Sequence, residues 1–520
     1  MALHSTLDAF NPLLTAALHH PLVAAPLLLL SLFLLRAVYN VTVHPLARYP
    51  GPLSCAISTL PSLMHRADGT NHLWPQALHR KYGPIVRIGP SELSYIHPDT
   101  WRDIYAKGAD FPKDFVGLGP DLAGPAETGI VRAPTPAAHA RQRRLLGSAF
   151  AERAVRAQEA TVQAHMAQLV DELAAGAAAG VPVDLAARLA FAAFDNMAEL
   201  TFGEPGGLGM QKAGRFVPWV RDTYATIKMV SLGMALRGWR PPLGRWLLDT
   251  VWGVSRRKRE EHNGFTMDRV RARLARGFHE ADVDIWAVVA RAGAKTGDPI
   301  TPAEMYSNAA TYMIGGTETT TAATAALSCL LCRHPAKQAR VQRELDRAVR
   351  APADLCFQRL QGLTYLNACI EEAMRFYPPA PTPMPRVVPP GGRLVCGRWV
   401  PGGTRVDVPL YAMFRSEEHF ADPDAFVPER WLPDECPGRY ADDRRDVAKA
   451  FSIGPRDCIG KTLAYHDMRM ILASVFWHFD VSLAEPEKDW FEQQSYGIWD
   501  KPPLWVNLTP RKGKGSDGGE

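Results

Sequence analysis

A long proline-free stretch constrains the fold of this chain more than any other feature. It runs from Ala303 to His334 and is flanked by Pro302 and Pro335. Proline marks the limits of a helix, and a rise of 1.5 Å per residue gives this one a length of up to about 48 Å. A helix of that length crosses a whole domain.

Other helical patterns and a few strand patterns accompany it. The strand patterns cluster at 85–96 and at 393–410, the second around a glycine-rich turn. The helical patterns are more numerous and cover residues 136–173, 182–202, 334–349, 364–376 and 459–477. The sequence therefore predicts a mostly α protein with a small β region.

The composition narrows the class of protein. With 47% hydrophobic and 22% charged residues, the chain is typical of a globular protein. Its 59 basic and 54 acidic side chains nearly balance, which argues against nucleic-acid binding. The eight cysteines are sparse and irregularly placed, so we expect a reducing compartment. Cys329, Cys332 and His334 are spaced like metal ligands, but no second ligand pair follows, so we do not expect zinc there.

The N-terminal residues predict a membrane anchor. The apolar run from Pro21 to Leu35 carries no charge and, with the residues before it, approaches the roughly 20 residues that span a bilayer. A cleaved signal peptide is the alternative, but no lysine or arginine precedes the run. Arg36 and Arg48 follow it, which favours a single-pass anchor with its C-terminal side in the cytosol.

We divide the rest of the chain by its composition. The stretch HPLARYPGP holds three prolines and predicts a stiff connector, whereas RKGKGSDGGE is a polar tail with nothing to bury. The predicted parts are an anchor segment over 1–36, the connector over 37–52, one domain over 53–510 and the tail over 511–520.

The decapeptide FSIGPRDCIG, residues 451–460, contains the cysteine with the most unusual surroundings, Cys458. An inert buried thiol is the usual state of a lone cysteine, but it would not explain the neighbouring residues. A nucleophile needs a nearby base, and a zinc site needs several Cys or His ligands; the loop supplies neither. A haem ligand is the remaining interpretation.

A haem thiolate gives each neighbour a task. The helix predicted just after Cys458 favours a thiolate through its positive end, and Phe451 can exclude water from the sulfur. Gly454 and Gly460 allow a tight turn close to a flat macrocycle. Arg456 can pair with a haem propionate.

The same decapeptide resembles the cytochrome P-450 signature Phe-x-x-Gly-x-Arg-x-Cys-x-Gly at every fixed position. The resemblance implies the cytochrome P-450 fold, a single large domain with haem b (iron protoporphyrin IX) and Cys458 as the axial ligand of its iron. It extends to EEAMR and FVPERW, which look like the family's structural network and imply that Glu372, Arg375 and Arg430 meet near the cysteine loop.

The centre of the long helix also resembles the family. Two adjacent glycines in GGTETT cost about 1 kcal/mol each relative to alanine, which suggests a use for them. In the family, small residues let this helix pass over the haem, and an acid followed by threonine lines the oxygen pocket. The resemblance therefore implies catalytic roles in proton delivery for Glu318 and Thr319.

Three further residues are implied as propionate partners. HARQR matches a position where many relatives have Trp-x-x-x-Arg, so Arg143 fits and His139 departs from the usual tryptophan. Arg386, in PMPRVV, falls where the family places another propionate arginine. On residue type alone, each would be a surface charge.

The resemblance implies a monooxygenase that uses O2 and electrons from NADPH through a membrane-bound NADPH–cytochrome P-450 reductase. HPLARYPGP, HARQRRLLGSAF and DPDAFVPERWL look most like fungal microsomal members of secondary metabolism, which implies the endoplasmic reticulum membrane. A haem-thiolate isomerase or dehydratase, or a non-catalytic haem-binding membrane protein, stays open as an alternative.

The expected substrate is a lipophilic small molecule. The resemblance places its pocket among four mostly apolar segments, residues 111–130, 312–316, 380–385 and 495–499.

Overall fold

The computed structural model describes residues 21–114, 129–133, 135–221, 228, 264–382 and 385–511. Helices dominate, as predicted. They are α1 (Pro21–Thr42), α2 (Leu53–Ile57), α3 (Leu60–Ala67), α4 (Leu73–Tyr82), α5 (Pro136–Phe150), α6 (Glu152–Ala157), α7 (Glu159–Ala178), α8 (Leu185–Phe202), α9 (Met210–Ala213), α10 (Ile285–Thr296), α11 (Pro302–Arg333), α12 (Pro335–Ala348), α13 (Phe357–Gln361), α14 (Thr364–Phe376), α15 (Leu410–Phe414) and α16 (Lys461–His478).

The long helix is confirmed as α11, Pro302–Arg333. A capping box defines its start: the Thr301 hydroxyl accepts from the Glu304 backbone N–H at 3.2 Å, and the Glu304 carboxylate accepts from the Thr301 N–H at 3.0 Å. Pro335 disfavours a helical conformation at His334, so the helix stops there. The predicted helices at 334–349, 364–376 and 459–477 are confirmed to within two residues at each end.

The prediction of one continuous helix over 136–173 is wrong. The chain forms α5, α6 and α7 instead, because Ala151 adopts an extended backbone conformation and the chain turns again at Gln158. No proline or glycine stands at either break, so these breaks could not be predicted from the residues there. The helix predicted from residue 182 begins at Leu185, because Val183 and Asp184 pair with a C-terminal strand.

The described strands form three small sheets, and they include the two predicted regions. The strands are β1 (Ile85–Gly89), β2 (Glu92–Tyr95), β3 (Val183–Asp184), β4 (Arg386–Val387), β5 (Arg393–Val395), β6 (Arg398–Val400), β7 (Arg405–Asp407), β8 (Phe479–Leu483) and β9 (Trp505–Pro510). The largest sheet has the order β1-β2-β7-β4, with β2 and β7 parallel; a second has the order β3-β9-β8, and β5 and β6 form a hairpin. The sequence patterns did not indicate β3, β4, β8 or β9.

The core lies around α11. One apolar cluster joins its C-terminal half to α7, α12, α14 and α16, and another joins its N-terminal half to α5, α8 and α10. A third cluster fills the space between the largest sheet and α15. The middle of α11 therefore lies where the two helical clusters meet.

The N-terminal apolar run forms α1, which continues past the predicted Leu35 to Thr42. Residues Val23–Thr42 are long and apolar enough to cross a membrane, and only 6% of that segment is buried against the rest of the chain. Its C-terminal end contacts the domain, because Arg87 donates a hydrogen bond to the Asn40 carbonyl at 2.8 Å.

Candidate active site

A cavity of about 370 Å³ lies between the middle of α11 and the loop that precedes α16. Its wall is mostly apolar, with α5, α8 and α14 completing the enclosure. The polar and glycine residues in the wall are those the chemistry depends on: Lys113, His139, Arg143, Thr311, Gly315, Gly316, Thr319, Thr320, Ser452, Arg456, Asp457, Cys458, Gly460 and Asp467.

Cys458 faces this cavity from the end of the loop. Its backbone N–H donates to the Phe451 carbonyl at 3.0 Å, so the two ends of the loop are closed on each other. Burial raises the pKa of its thiol, while a hydrogen bond from the Gly460 backbone and the charges of Arg143 and Lys461 act to lower it. The side chain is nevertheless exposed to the space of the cavity, so a ligand placed there could contact the sulfur directly.

The loop turns back through left-handed backbone conformations. Ser452 has φ +59° and Gly454 has φ +78°; a Cβ on Gly454 would lie 2.1 Å from the Tyr105 carbonyl oxygen. Gly454 is therefore required by the packing of the loop on the Trp101–Tyr105 turn. Gly460 differs, since a Cβ there would meet only Phe150 at 3.9 Å, so the packing of the protein itself does not require glycine at that position.

Phe451 lies beside Cys458 in the cavity wall. Its ring packs against Tyr465 of α16, with ring centroids 5.0 Å apart. The Lys461 ammonium lies over the Phe451 ring, 5.9 Å from the ring centroid. This placement is compatible with shielding the sulfur from water.

Basic groups crowd one side of the cavity. Burial together with Arg386 and Arg456 lowers the pKa of Lys113 to about 7. Burial together with Arg456, Lys113 and Arg143 lowers the pKa of His139 to about 4. Mutual repulsion of this kind is relieved by an anion, so the cluster has the electrostatics of an acid-binding site.

The predicted propionate partners do not all have the same surroundings. Arg143 donates to the Asp457 carbonyl and to its carboxylate, both at 2.6 Å, so a local acid already binds it. Arg386 is buried behind the wall with its guanidinium 4.8 Å from the Tyr105 ring centroid. Arg456 lines the cavity and donates to the Ile130 carbonyl at 3.4 Å.

Glu318 and Thr319 are adjacent in sequence but have different surroundings in the structure. Thr319 lines the cavity, and its hydroxyl donates to the Gly315 carbonyl at 2.7 Å, which leaves its oxygen lone pairs to accept a hydrogen bond. Glu318 is only 2% exposed and does not belong to the described cavity wall. It accepts a hydrogen bond from the Lys501 ammonium at 2.7 Å.

The structure brings Glu372, Arg375 and Arg430 together with no exposure to solvent. Arg375 donates to both carboxylate oxygens of Glu372, at 2.8 and 2.9 Å, and Arg430 donates to one of them at 3.1 Å. Trp431 adds a further donor at 2.9 Å, and Asp443 pairs with Arg430. The sequence pattern did not indicate Trp431 or Asp443.

The expected substrate-lining segments contribute unequally. Ile130, Tyr312, Gly316 and Ala380 line the cavity, whereas residues 115–128, 383 and 384 lie outside the described part of the chain. No residue of 495–499 belongs to the described wall. Trp499 instead stacks on Tyr377, with centroids 4.4 Å apart, and is a core residue.

Sequence reasoning missed Lys113, Lys501 and Asp467. No motif surrounds any of them, and each reaches the site through long-range packing. Only the fold shows that Lys501 meets Glu318, since 183 residues separate them.

Comparison with known proteins agrees with this geometry. A cysteine loop facing a long helix across a cavity, with a basic cluster at one side, is the arrangement that the resemblance to haem-thiolate proteins implies. The cytochrome P-450 family model matches residues 50–505, and the chain belongs to this family. It is similar to the cytochrome P-450 monooxygenase efuB of Hormonema carpetanum, 37% identical over 91% of this chain and 93% of that protein. It is also similar to an averantin hydroxylase of Dothistroma septosporum, 35% identical over 91% of this chain and 88% of the relative.

Members of the family bind haem through a cysteine thiolate, and the residues here fit that group. The basic cluster suits the edge of haem that carries its acidic propionate groups. Gly315 also lines the cavity, and a Cβ on it would meet no atom within 4 Å. The open space beside Gly315, in the cavity that Cys458 also lines, leaves room for a flat ligand.

Proposed function

We propose that this cytochrome P-450 monooxygenase oxidises a lipophilic small molecule in fungal secondary metabolism, with haem b as its cofactor. The observation that carries the proposal is the position of Cys458 and Thr319 in the wall of one apolar cavity. The bound haem supplies an iron that binds O2 and receives electrons. The remaining chemistry belongs to the side chains around it.

We propose that Cys458 would hold the haem iron through its sulfur. Its backbone is fixed by the Phe451 carbonyl, and the Gly460 backbone stabilises charge on its sulfur. Arg456, Arg386, Arg143, His139 and Lys113 are proposed to hold the propionates. His139, with its pKa near 4, is neutral at pH 7 and acts there as a hydrogen-bonding group without charge.

We propose that Thr319 and Glu318 take part in proton delivery. The Thr319 hydroxyl has donated its hydrogen to Gly315, so it accepts a hydrogen bond from water or from a group in the cavity. Glu318 accepts a hydrogen bond from Lys501 outside the described wall, so it would have to leave Lys501 and first take up a proton before it could pass one to the cavity side. The Lys501 pair therefore controls when Glu318 takes part.

The cavity supports an apolar substrate. Its wall includes Phe150, Met197, Ala323, Leu463 and Met468, which bind by burial of apolar surface without fixing a functional group.

We propose NADPH–cytochrome P-450 reductase as the electron donor. The apolar α1 supports a single-pass anchor in the endoplasmic reticulum membrane, with the catalytic domain in the cytosol.

The proposal is tested with full-length protein in microsomes. After reduction with dithionite, carbon monoxide should produce a Soret band strongly shifted to longer wavelength if Cys458 holds the haem iron as a thiolate. Cys458→Ser should retain folded protein and lose that shift, while Cys436→Ser, in a loop far from the cavity wall, should keep it.

Turnover distinguishes oxygenation from the alternatives. Consumption of NADPH and O2 that depends on added reductase and on an apolar substrate supports a monooxygenase. Conversion without either would indicate an isomerase or dehydratase, and a normal carbon monoxide spectrum without any conversion would indicate haem binding alone.

A further inference from the structure

A short segment of the cavity wall, residues 129–133, is held against α11 by two adjacent side chains. The Gly129 N–H donates to the Ser307 hydroxyl oxygen at 2.8 Å, and the Ile130 N–H donates to the Asn308 side-chain oxygen at 2.9 Å. Backbone N–H groups inside a protein need partners, and this segment belongs to no described helix or strand that could supply them. The acceptor pair, Ser307 and Asn308, therefore replaces the main-chain partners that regular structure would provide.

The orientation of the Asn308 amide is fixed by its other contacts. Its nitrogen donates to the Glu304 carbonyl at 2.8 Å and to the Gln142 side-chain oxygen at 3.3 Å. Gln142 in turn donates to the Glu304 carboxylate at 3.2 Å. Because both amide hydrogens of the buried Asn308 have acceptors, its oxygen faces Ile130 and cannot exchange places with the nitrogen.

Gly129 fits closely against the same acceptor pair. A Cβ on Gly129 would lie 2.8 Å from the Ser307 hydroxyl oxygen and 3.0 Å from the Asn308 side-chain oxygen. At these distances an added methyl group would push the segment and the two acceptors apart. The absence of a side chain at Gly129 therefore allows the segment to approach α11 within hydrogen-bond distance.

The segment held in this way supplies apolar groups to the cavity. Ile130 and Val131 line the cavity. Thr311 and Tyr312 line it from α11, where they lie one turn beyond the acceptor pair on the same faces of the helix. The acceptor pair therefore sets how far the wall segment stands from the part of α11 that it faces across the cavity.

The carbonyl groups of the segment bind the basic cluster. Arg456 donates to the Ile130 carbonyl at 3.4 Å, and the Lys113 ammonium donates to the Val131 carbonyl at 3.4 Å. Both cations are also proposed to hold the haem propionates, so these two bonds compete with the cofactor. The acceptor pair does not belong to the described cavity wall, so its bonds have no such competitor. The bonds to α11 are therefore the ones that keep the segment in place in the loaded protein.

We propose that Ser307 and Asn308 are positioning residues that fix the distance of Ile130 and Val131 from α11 and thereby decide which apolar molecules the cavity admits. This inference rests on the proposed function, because that function assigns the cavity to the substrate. The acceptor pair acts through the wall segment and not by contact with the substrate. Its removal should therefore alter selectivity between narrow and wide molecules more than it alters the binding of a narrow one.

Hydrogen exchange of the full-length protein, followed by mass spectrometry, tests the hold on the segment without any turnover. Ser307→Ala removes one acceptor, so exchange in peptides that cover residues 129–133 should become about three- to tenfold faster. Ser307→Thr keeps the hydroxyl and should retain most of the protection. Ser328→Ala is the matched control, because the Ser328 hydroxyl donates to the Thr324 carbonyl within the same helix.

Two probes of different width test the selectivity. Imidazole and phenylimidazole both bind haem iron through a ring nitrogen and shift its Soret band, but only the second is wide enough to press on the wall. Ser307→Ala should change the affinity for phenylimidazole about three- to tenfold and leave that for imidazole unchanged. Gly129→Ala, which displaces the segment, should also change the ratio of the two affinities, and Ser328→Ala should keep it.

Two results would overturn the inference even with a normal carbon monoxide spectrum. One is unchanged exchange of residues 129–133 in Ser307→Ala, and the other is an unchanged ratio of the two probe affinities. A wild-type protein without the thiolate spectrum would instead refute the proposed function, and the exchange experiment would still report on the hold of α11 on the segment.

Discussion

Lys501 and Glu318 form an ion pair with little contact with solvent, 7% and 2% exposed. Lys501→Met leaves the Glu318 charge buried, and loss of one partner of a buried pair costs about 3–5 kcal/mol. We expect a clear fall in the thermal unfolding temperature, and partial recovery in the double variant Lys501→Met, Glu318→Gln. Lys488→Met is the control, because Lys488 pairs with Glu485 in solvent. Equal unfolding temperatures for Lys501→Met and Lys488→Met would contradict the assignment.

Lys113 should strengthen haem binding. A hydrogen bond to a charged group contributes about 1.5–3 kcal/mol, so Lys113→Met should speed haem loss about tenfold or more. Transfer of haem to an acceptor protein measures this rate without any turnover. Lys107→Met, which changes an exposed lysine nearby, should leave the rate unchanged. An unchanged rate in Lys113→Met would place the lysine outside the propionate site.

The residues of the candidate site show which parts of it could be predicted from the sequence. The cysteine loop was recognisable because its residues are close in sequence. Glu318 and Thr319 were recognisable for the same reason, but their neighbours were not. Lys113, Lys501 and Asp467 come from three distant parts of the chain, and only the packing of the fold brings them to the site.

The two glycines in the middle of α11 have different constraints. A Cβ on Gly316 meets the Met197 sulfur at 2.5 Å, whereas a Cβ on Gly315 meets nothing within 4 Å. Gly316→Ala gains the same helix propensity as Gly315→Ala but must displace the Met197 side chain, so it should be less stable than Gly315→Ala by about 1–3 kcal/mol through overpacking. Gly315→Ala should stabilise the helix by up to about 1 kcal/mol. Chemical unfolding of both variants measures the difference, and Met197→Ala should rescue Gly316→Ala if the contact is the cause.

Helix boundaries were predictable where local chemistry sets them. Pro302, Thr301 and Glu304 specify the start of α11, and Pro335 specifies its end. The breaks at Ala151 and Gln158 were not predictable, because alanine and glutamine are good helix formers. There the buried side chains of Ala154 and Val155 pack α6 into the core, and tertiary contacts override propensity.

At the scale of the molecule, the anchor and the domain should be separable. Deleting residues 1–36 removes most of the apolar surface of α1 but keeps Asn40, which accepts from Arg87. We expect that variant to leave the membrane fraction and still give the thiolate spectrum. Deletion of residues 1–42 also removes the Asn40 acceptor, so its unfolding temperature should be lower. Membrane flotation and thermal unfolding check both expectations.

The crowded basic side of the cavity has a consequence for the life of the protein in the cell. Burial and neighbouring cations lower the pKa of Lys113 and of His139, so an anion bound beside them should stabilise the closed structure. A ligand that binds only the folded state adds stability that rises with the logarithm of its free concentration relative to its Kd. Haem supply should then set how much of the newly made chain survives quality control, and iron-starved cells should contain less of the protein at the same level of transcript.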